Sequence, residues 1–260
     1  MSGVPRDPWF KLANRTPARI GLGRVGASLP TREVLAFALA HAQARDAVHT
    51  VLDRGQLAAE LAAMGLASIE VESQAVDRQL YLRRPDLGRR LSAASQEQLQ
   101  RLGGGSCDLA LIIGDGLSAA AAQAHAPALV SAFLPYAAAL GVKLAAVALA
   151  AGARVALGDE IGGALDAKLA IVLIGERPGL SAPDSLGVYL TYQPKPGRHD
   201  AERNCISNIR PEGLAPAAAA RKLAWLVEAA LARQLTGVML KDGSADALAG
   251  AEPEPLLLGP

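Results

Sequence analysis

Cysteine is nearly absent: Cys107 and Cys205 are the only two in 260 residues. Two thiols are too few for a disulfide scaffold or a thiolate metal cage, which points to a reducing compartment. Excess charge of either sign is also missing, with 26 basic residues against 25 acidic ones. Without a global field, the composition carries no nucleic-acid signal. The longest stretch free of acid or base runs from Gly116 to Val142 and holds Gln123, His125, Pro127, Ser131 and Pro135. Those residues predict a soluble, alanine-rich helix pair rather than a membrane span. Asp7 and two prolines precede Trp9 with no long apolar run, so no secretory signal is expected. The chain reads as cytoplasmic, and its length suffices for one large domain or two ordinary ones.

What is present divides into two kinds. The first hundred residues are expected to be mainly helical. Thr31 is a candidate N-cap with Glu33 in the first turn, and Val34, Leu35, Ala38, Leu39 and Ala42 repeat at helical spacing. A second helical stretch covers roughly Gln56 to Met64 and stops at Gly65. Ala75 to Arg90 is dense in arginine, and Ser95 with Gln98 reads as a capping box. Gly103, Gly104 and Gly105 suggest a joint, dividing a helical region (1–104) from a second domain (105–260).

Beyond the joint the period changes. LALIIG (Leu109 to Gly114), KLAAVALA (Lys143 to Ala150) and LAIVLIG (Leu169 to Gly175) are continuous apolar runs, separated by helical patterns. Such runs predict a parallel sheet with helices on both faces, an α/β Rossmann-like domain. Pro216, the apolar line through Leu223, Leu226, Val227, Ala230 and Leu231, and Gly237 beyond it predict one last long helix.

Several motifs compete for chemistry. Gly21, Gly23 and Gly26 match G-x-G-x-x-G, but no good strand precedes them, so they read as an entry loop. GDGLSA (Gly114 to Ala119) is better placed between strand and helix. It lacks the acidic residue some 20 positions on that a dinucleotide ribose needs, since none occurs between Asp115 and Asp159. His41, Arg45 and His49 recur along one helix beside Asp46, without a third metal ligand. Arg83, Arg84, Arg89 and Arg90 admit two readings, a phosphate cluster or a solvated face partnered by Asp86. Cys107 reads as a small core residue. Ser118 and Ser181 lack a histidine at recognisable spacing for a hydrolase triad.

The third quarter is different. RVALGDEIG from Arg154, LIGERPGLSAPDSLG from Leu173, YLTYQP from Tyr189 and RNCISNIRP from Arg203 set polar groups directly after apolar runs. Polar groups at the end of a buried strand are expensive to place unless something binds there. Together with TPARIGLGRVGASLPT, YLRRPDLGRRL, DLALIIGDGLSA and the late TGVMLKDG, these segments resemble, in order, the small subunit of ethanolamine ammonia-lyase. The resemblance runs from about Thr16 to Asp242.

That resemblance implies an adenosylcobalamin-dependent carbon–nitrogen lyase converting ethanolamine into acetaldehyde and ammonia. It implies a large-subunit partner, a TIM barrel that holds substrate, in a hetero-oligomer of several heterodimers. The cofactor would lie between the two chains, and the setting is often a bacterial microcompartment. This chain would be required but non-catalytic, with cobalamin contacts at Val155 in RVALGDE, Glu176 in GERPG and Cys205 in RNCISN. An ion pair of Glu176 with Arg177 or Arg210 is the competing reading. None of the four histidines lies in a D-x-H-x-x-G pattern, so the cobalt is expected to keep its own dimethylbenzimidazole. The rival functional reading is a free-standing, Rossmann-like nucleotide-binding protein.

Overall fold

The computed structural model describes residues 7–102 and 107–244. Six strands form one sheet: β1 (Ser68–Glu72), β2 (Cys107–Gly114), β3 (Val147–Ala151), β4 (Ala167–Gly175), β5 (Leu186–Tyr192) and β6 (Arg203–Ile209). Their order across the sheet is β1-β3-β2-β4-β5-β6. The helices are α1 (Phe10–Ala13), α2 (Thr31–His49), α3 (Arg54–Ala63), α4 (Arg78–Arg83), α5 (Ala93–Leu102), α6 (Ala119–Ala139), α7 (Leu157–Ala164) and α8 (Pro216–Arg233).

Strand alternation builds two cores from single runs of sequence. Leu109, Leu111 and Ile113 of β2 pack with α3, α6 and α8, while Ala110 and Ile112 pack on the opposite face with α5 and α7. Both faces are therefore covered, and each buried Leu or Ile stabilises the fold by roughly 1.5–3 kcal/mol. The α7 layer lies unusually close. A Cβ on Gly158 would come within 2.2 Å of a Val172 methyl, which accounts for the glycine in RVALGDEIG.

The sheet is mixed rather than wholly parallel. β1, β2, β3 and β4 run parallel, whereas β5 and β6 are antiparallel to their neighbours. The links 176–185 and 193–202 are too short to hold a crossover helix, so each strand returns antiparallel. β1 comes from the first hundred residues and pairs with β3. The expected glycine joint at 103–105 lies outside the described residues.

Local details depart from expectation in informative ways. Gly116 to Val142 contains one continuous helix rather than a pair: α6 runs through Pro127 and Pro135, its buried face packed against the core. Pro30, not Thr31, is the N-cap of α2. At α5 it is Ser92 Oγ that accepts from the Ser95 amide, while Ser95 is buried and its hydroxyl accepts from the Glu72 amide. α8 begins at Pro216 as expected but ends on Gln234 in the left-handed region, before Gly237.

Candidate functional site

The carboxyl end of the parallel strands opens into a recess of about 390 Å³. Two loops build its floor by close backbone approach. A Cβ on Gly175 would lie 1.9 Å from the Ser118 carbonyl oxygen, and one on Gly116 would lie 2.2 Å from that of Gly175. The walls are Tyr81, Arg154, Val155, Glu176, Arg177 and Tyr189. The structure thus brings Val155 and Glu176 into one pocket. Cys205 is adjacent: it pairs across the strands with Tyr189 and is solvent-exposed.

Glu176 is held by hydrogen-bond donors without charge. Ser185 Oγ donates to Oε2 at 2.5 Å, Ser207 Oγ donates to Oε1 at 2.6 Å, and the Asn208 amide reaches Oε2 at 3.2 Å. Asn208 takes a φ of 59° where the β5–β6 register shifts, and this bulge turns its amide towards the carboxylate. Among the described residues no cation pairs with Glu176. Arg210 instead pairs with Glu212 at 3.6 Å. Three donors leave part of the acceptor capacity of the carboxylate free, since two oxygens offer about four lone-pair sites.

Another part of the wall is an aromatic ring in contact with two guanidinium groups. Arg154 lies 4.2 Å and Arg78 4.6 Å from the Tyr81 ring centre. Tyr81 donates its hydroxyl to the Ala153 carbonyl at 3.0 Å, and burial pushes its pKa up to about 12. Asp115 anchors the same corner by accepting from the amides of Gly116, Gly152 and Ala153 at 2.8–2.9 Å. Burial raises the pKa of its carboxyl, which those amides and Arg78 oppose. Sequence reasoning missed Tyr81, Arg154 and Asp115 as wall and anchor. Their only signal was membership of segments already conspicuous for other residues.

Although Cys205 keeps an exposed edge, packing around its sulfur and the nearby Glu176 carboxylate push its pKa up, against the opposing hydrogen bond with Tyr189. Above its ordinary value the thiolate is scarcer at any given pH, and the thiolate is the nucleophile. Alkylation of Cys205 by iodoacetamide at pH 8 is therefore expected to run slower than that of a model peptide thiol, with its midpoint at higher pH. A rate equal to or above the peptide's would contradict this, with Cys107 serving as the buried internal control.

Other conspicuous groups are used structurally. Asp159 of RVALGDEIG and Arg203 of RNCISNIRP form a buried bidentate pair at 2.6 and 2.7 Å, each side chain 2 % exposed. Arg203 also donates to Thr191 Oγ1 of β5 at 2.9 Å. Ser118 caps α6 and donates to the Pro183 carbonyl. Gly21, Gly23 and Gly26 all have positive φ in an irregular loop. Arg84 pairs with Asp86, and Arg90 with Glu160. A larger recess of about 730 Å³ lies on the α5–α7 side, lined by residues such as Gln96, Glu160, Gln193 and Lys195. It shares no residue with the wall built around Glu176. No helix among the described residues is long and apolar enough to cross a membrane.

Residues 6–241 match the family model for the ethanolamine ammonia-lyase light chain (EutC). The chain belongs to the ethanolamine ammonia-lyase small-subunit family. Among its relatives, the ethanolamine ammonia-lyase small subunit of Bradyrhizobium diazoefficiens is 60 % identical over 94 % of this chain and 94 % of its own length. That of Xanthomonas campestris pv. campestris is 55 % identical over 95 % of this chain and 92 % of its own. The one from Rhodopseudomonas palustris is 55 % identical over 90 % of this chain and 89 % of its own. As a small subunit of ethanolamine ammonia-lyase, the chain is part of a lyase and works with a large subunit. A free-standing nucleotide-binding protein is not favoured.

Within an ethanolamine ammonia-lyase small subunit, the conspicuous segments now divide by task. GDEIG and the arginine of RNCISN hold the sheet edge in place, while GERPG and the serines around it shape an acceptor at the recess. The arrangement can bind and orient.

Proposed function

We propose that this small subunit forms one wall of the adenosylcobalamin site of its lyase, with the large subunit closing the other side. The observation that carries the reading is Glu176: a carboxylate at the carboxyl end of β4, held by Ser185, Ser207 and Asn208, with no cation partner among the described residues. Ligands of open α/β sheets bind at that edge.

The residues suit the group. Val155 and the ring of Tyr189 offer apolar surface to a corrin, and Glu176 accepts from its amide side chains. Cys205 adds a small polarizable contact beside Tyr189. When bound, the cofactor supplies the radical chemistry by which ethanolamine becomes acetaldehyde and ammonia. This chain positions it and keeps water from the covered face. A recess of about 390 Å³ is at the low end for small-molecule sites and covers only part of so large a group. The rest of the pocket belongs to the partner, read as a TIM barrel. Several such heterodimers make up the enzyme, in the bacterial cytoplasm and within a microcompartment.

Half a pocket should bind weakly. The isolated chain is expected to take up cobalamin at least about a hundredfold less tightly than the assembled pair, because affinity follows the buried contacts that both walls provide. Spectrophotometric titration of each, alongside cobalamin-dependent ammonia release by the co-expressed pair, tests this. Equal affinity in the isolated chain, or no ammonia from the pair, would overturn the reading.

A further inference from the structure

The exposed apolar surface of the described residues is not spread evenly. Ten of the 17 large hydrophobic side chains left exposed fall within residues 9–39. The first half of α2 is the densest part: Val34, Leu35, Phe37 and Leu39 are 51, 64, 48 and 61 % exposed. The buried residues of this helix are Ala40 and Ala47. The helix meets the body through alanine and holds its large side chains outward, the reverse of an ordinary surface helix. An apolar face of this kind marks a contact site.

The arm is continuous with the edge that carries the recess. Arg19 Nη2 donates to the Leu180 carbonyl at 3.1 Å, and Ser181 Oγ to the Pro17 carbonyl at 3.5 Å. Leu180 and Ser181 belong to the loop that begins with Glu176. Arg19 also lies 5.7 Å from the Phe37 ring centre, tying this clip to α2. At the far end of α2, Arg78 Nε donates to the Val48 carbonyl at 2.6 Å, and the same guanidinium covers Tyr81. Charge narrows the choice of occupant. Residues 9–39 hold Lys11, Arg15, Arg19, Arg24 and Arg32 against Glu33 alone, a net of +4. The whole chain is +1, so everything outside the arm sums to −3. Two copies of the arm repel each other, whereas an acidic rim attracts it.

We propose that residues 9–39 form a docking surface for the large subunit, which covers Leu35, Phe37 and Leu39 with an apolar patch rimmed by acidic side chains. The proposal rests on the reading that the carboxyl edge faces that subunit. The combined variant Leu35→Asp, Phe37→Asp and Leu39→Asp is expected to weaken the pair by about tenfold or more, read from subunit affinity in the presence of adenosylcobalamin. The circular dichroism of the variant chain should stay that of the parent, because the three side chains are exposed. Unchanged affinity overturns the proposal. So does a variant that alters only self-association of the isolated chain, since a second copy would then be the occupant. If the variant does not fold, amide hydrogen exchange of the parent chain decides: slowing over 31–39 on pairing supports the docking surface, and no change sinks it. Glu176→Ala separates the two readings. If it leaves cobalamin uptake intact while the arm variant weakens the pair, the cofactor wall fails and the docking surface stands.

Discussion

Glu176→Ala together with Val155→Asp is expected to weaken adenosylcobalamin uptake by the assembled lyase by about a hundredfold or more. The first change removes an acceptor held ready by Ser185, Ser207 and Asn208. A hydrogen bond to a charged group contributes about 1.5–3 kcal/mol, which alone is roughly ten- to a hundredfold. The second change puts a carboxylate on an apolar wall of the same recess, where the bound corrin would strip its water. Both side chains are partly exposed at the rim, so the fold and the subunit contact should survive. The measurement is a cofactor titration of the assembled enzyme, with ammonia release at saturating cofactor as its companion. The expected pattern is a large rise in the cofactor concentration needed for half-maximal rate, with a smaller change in maximal rate. A variant pair that takes up cobalamin like the parent would remove Val155 and Glu176 from the site.

Asp159→Ala should be the most damaging single change to stability, at about 3–5 kcal/mol. It removes two of the four hydrogen bonds of the buried Arg203 guanidinium, the two that join β6 to α7, and leaves it Thr191, the Arg198 carbonyl and the exposed Asp200 at 3.5 Å. Whole domains are stable by only about 5–15 kcal/mol, so the loss is a large share. Urea unfolding followed by circular dichroism reads it as a lower midpoint at similar slope. A double variant tests the cause. Asp159→Leu with Arg203→Met removes both charges and should recover most of the stability, because an apolar pair has no ion to leave unpaired. If the single change costs under about 1 kcal/mol, the pair is not what secures the edge.

Those two predictions meet in RVALGDEIG, which supplies both Val155 and Asp159, and sequence reasoning could not separate their tasks. RVALGDEIG and RNCISNIRP were conspicuous because each sets polar groups beside apolar ones. Nothing in their spacing says that Asp159 and Arg203 face inward to each other while Cys205 faces out. Likewise the ion pair weighed for Glu176 gave way to two serines and a backbone amide. Ser185 lies nine residues away, but Ser207 and Asn208 are brought in by β6, a strand that the sequence did not announce.

The most apolar runs were legible because continuous burial needs no partner to be named. β2 and β4 could be read from their letters, as could the loop–helix opening at Ser118 and the start of α8 at Pro216. β1, β5 and β6 were not legible. SIEVE and RNCISNI are short and half polar, and become strands because neighbouring strands offer them hydrogen bonds. α2 shows the other limit. Its apolar spacing gave the helix correctly, yet the side chains that set the spacing point away from the body.

By itself, then, the sequence determined the most apolar strands, β2 and β4, and the periodic helices α2, α3 and α8, and through its ordered segments the family. Those follow from local propensity, from burial on both faces, and from the particular order of residues. Tertiary structure alone decided which polar groups meet: Glu176 with its three donors, Asp159 with Arg203, and Tyr81 with Arg78 and Arg154. The physical reason is distance. Hydrogen bonds and ion pairs act over about 3 Å between residues tens of positions apart, and only the folded sheet brings them within reach.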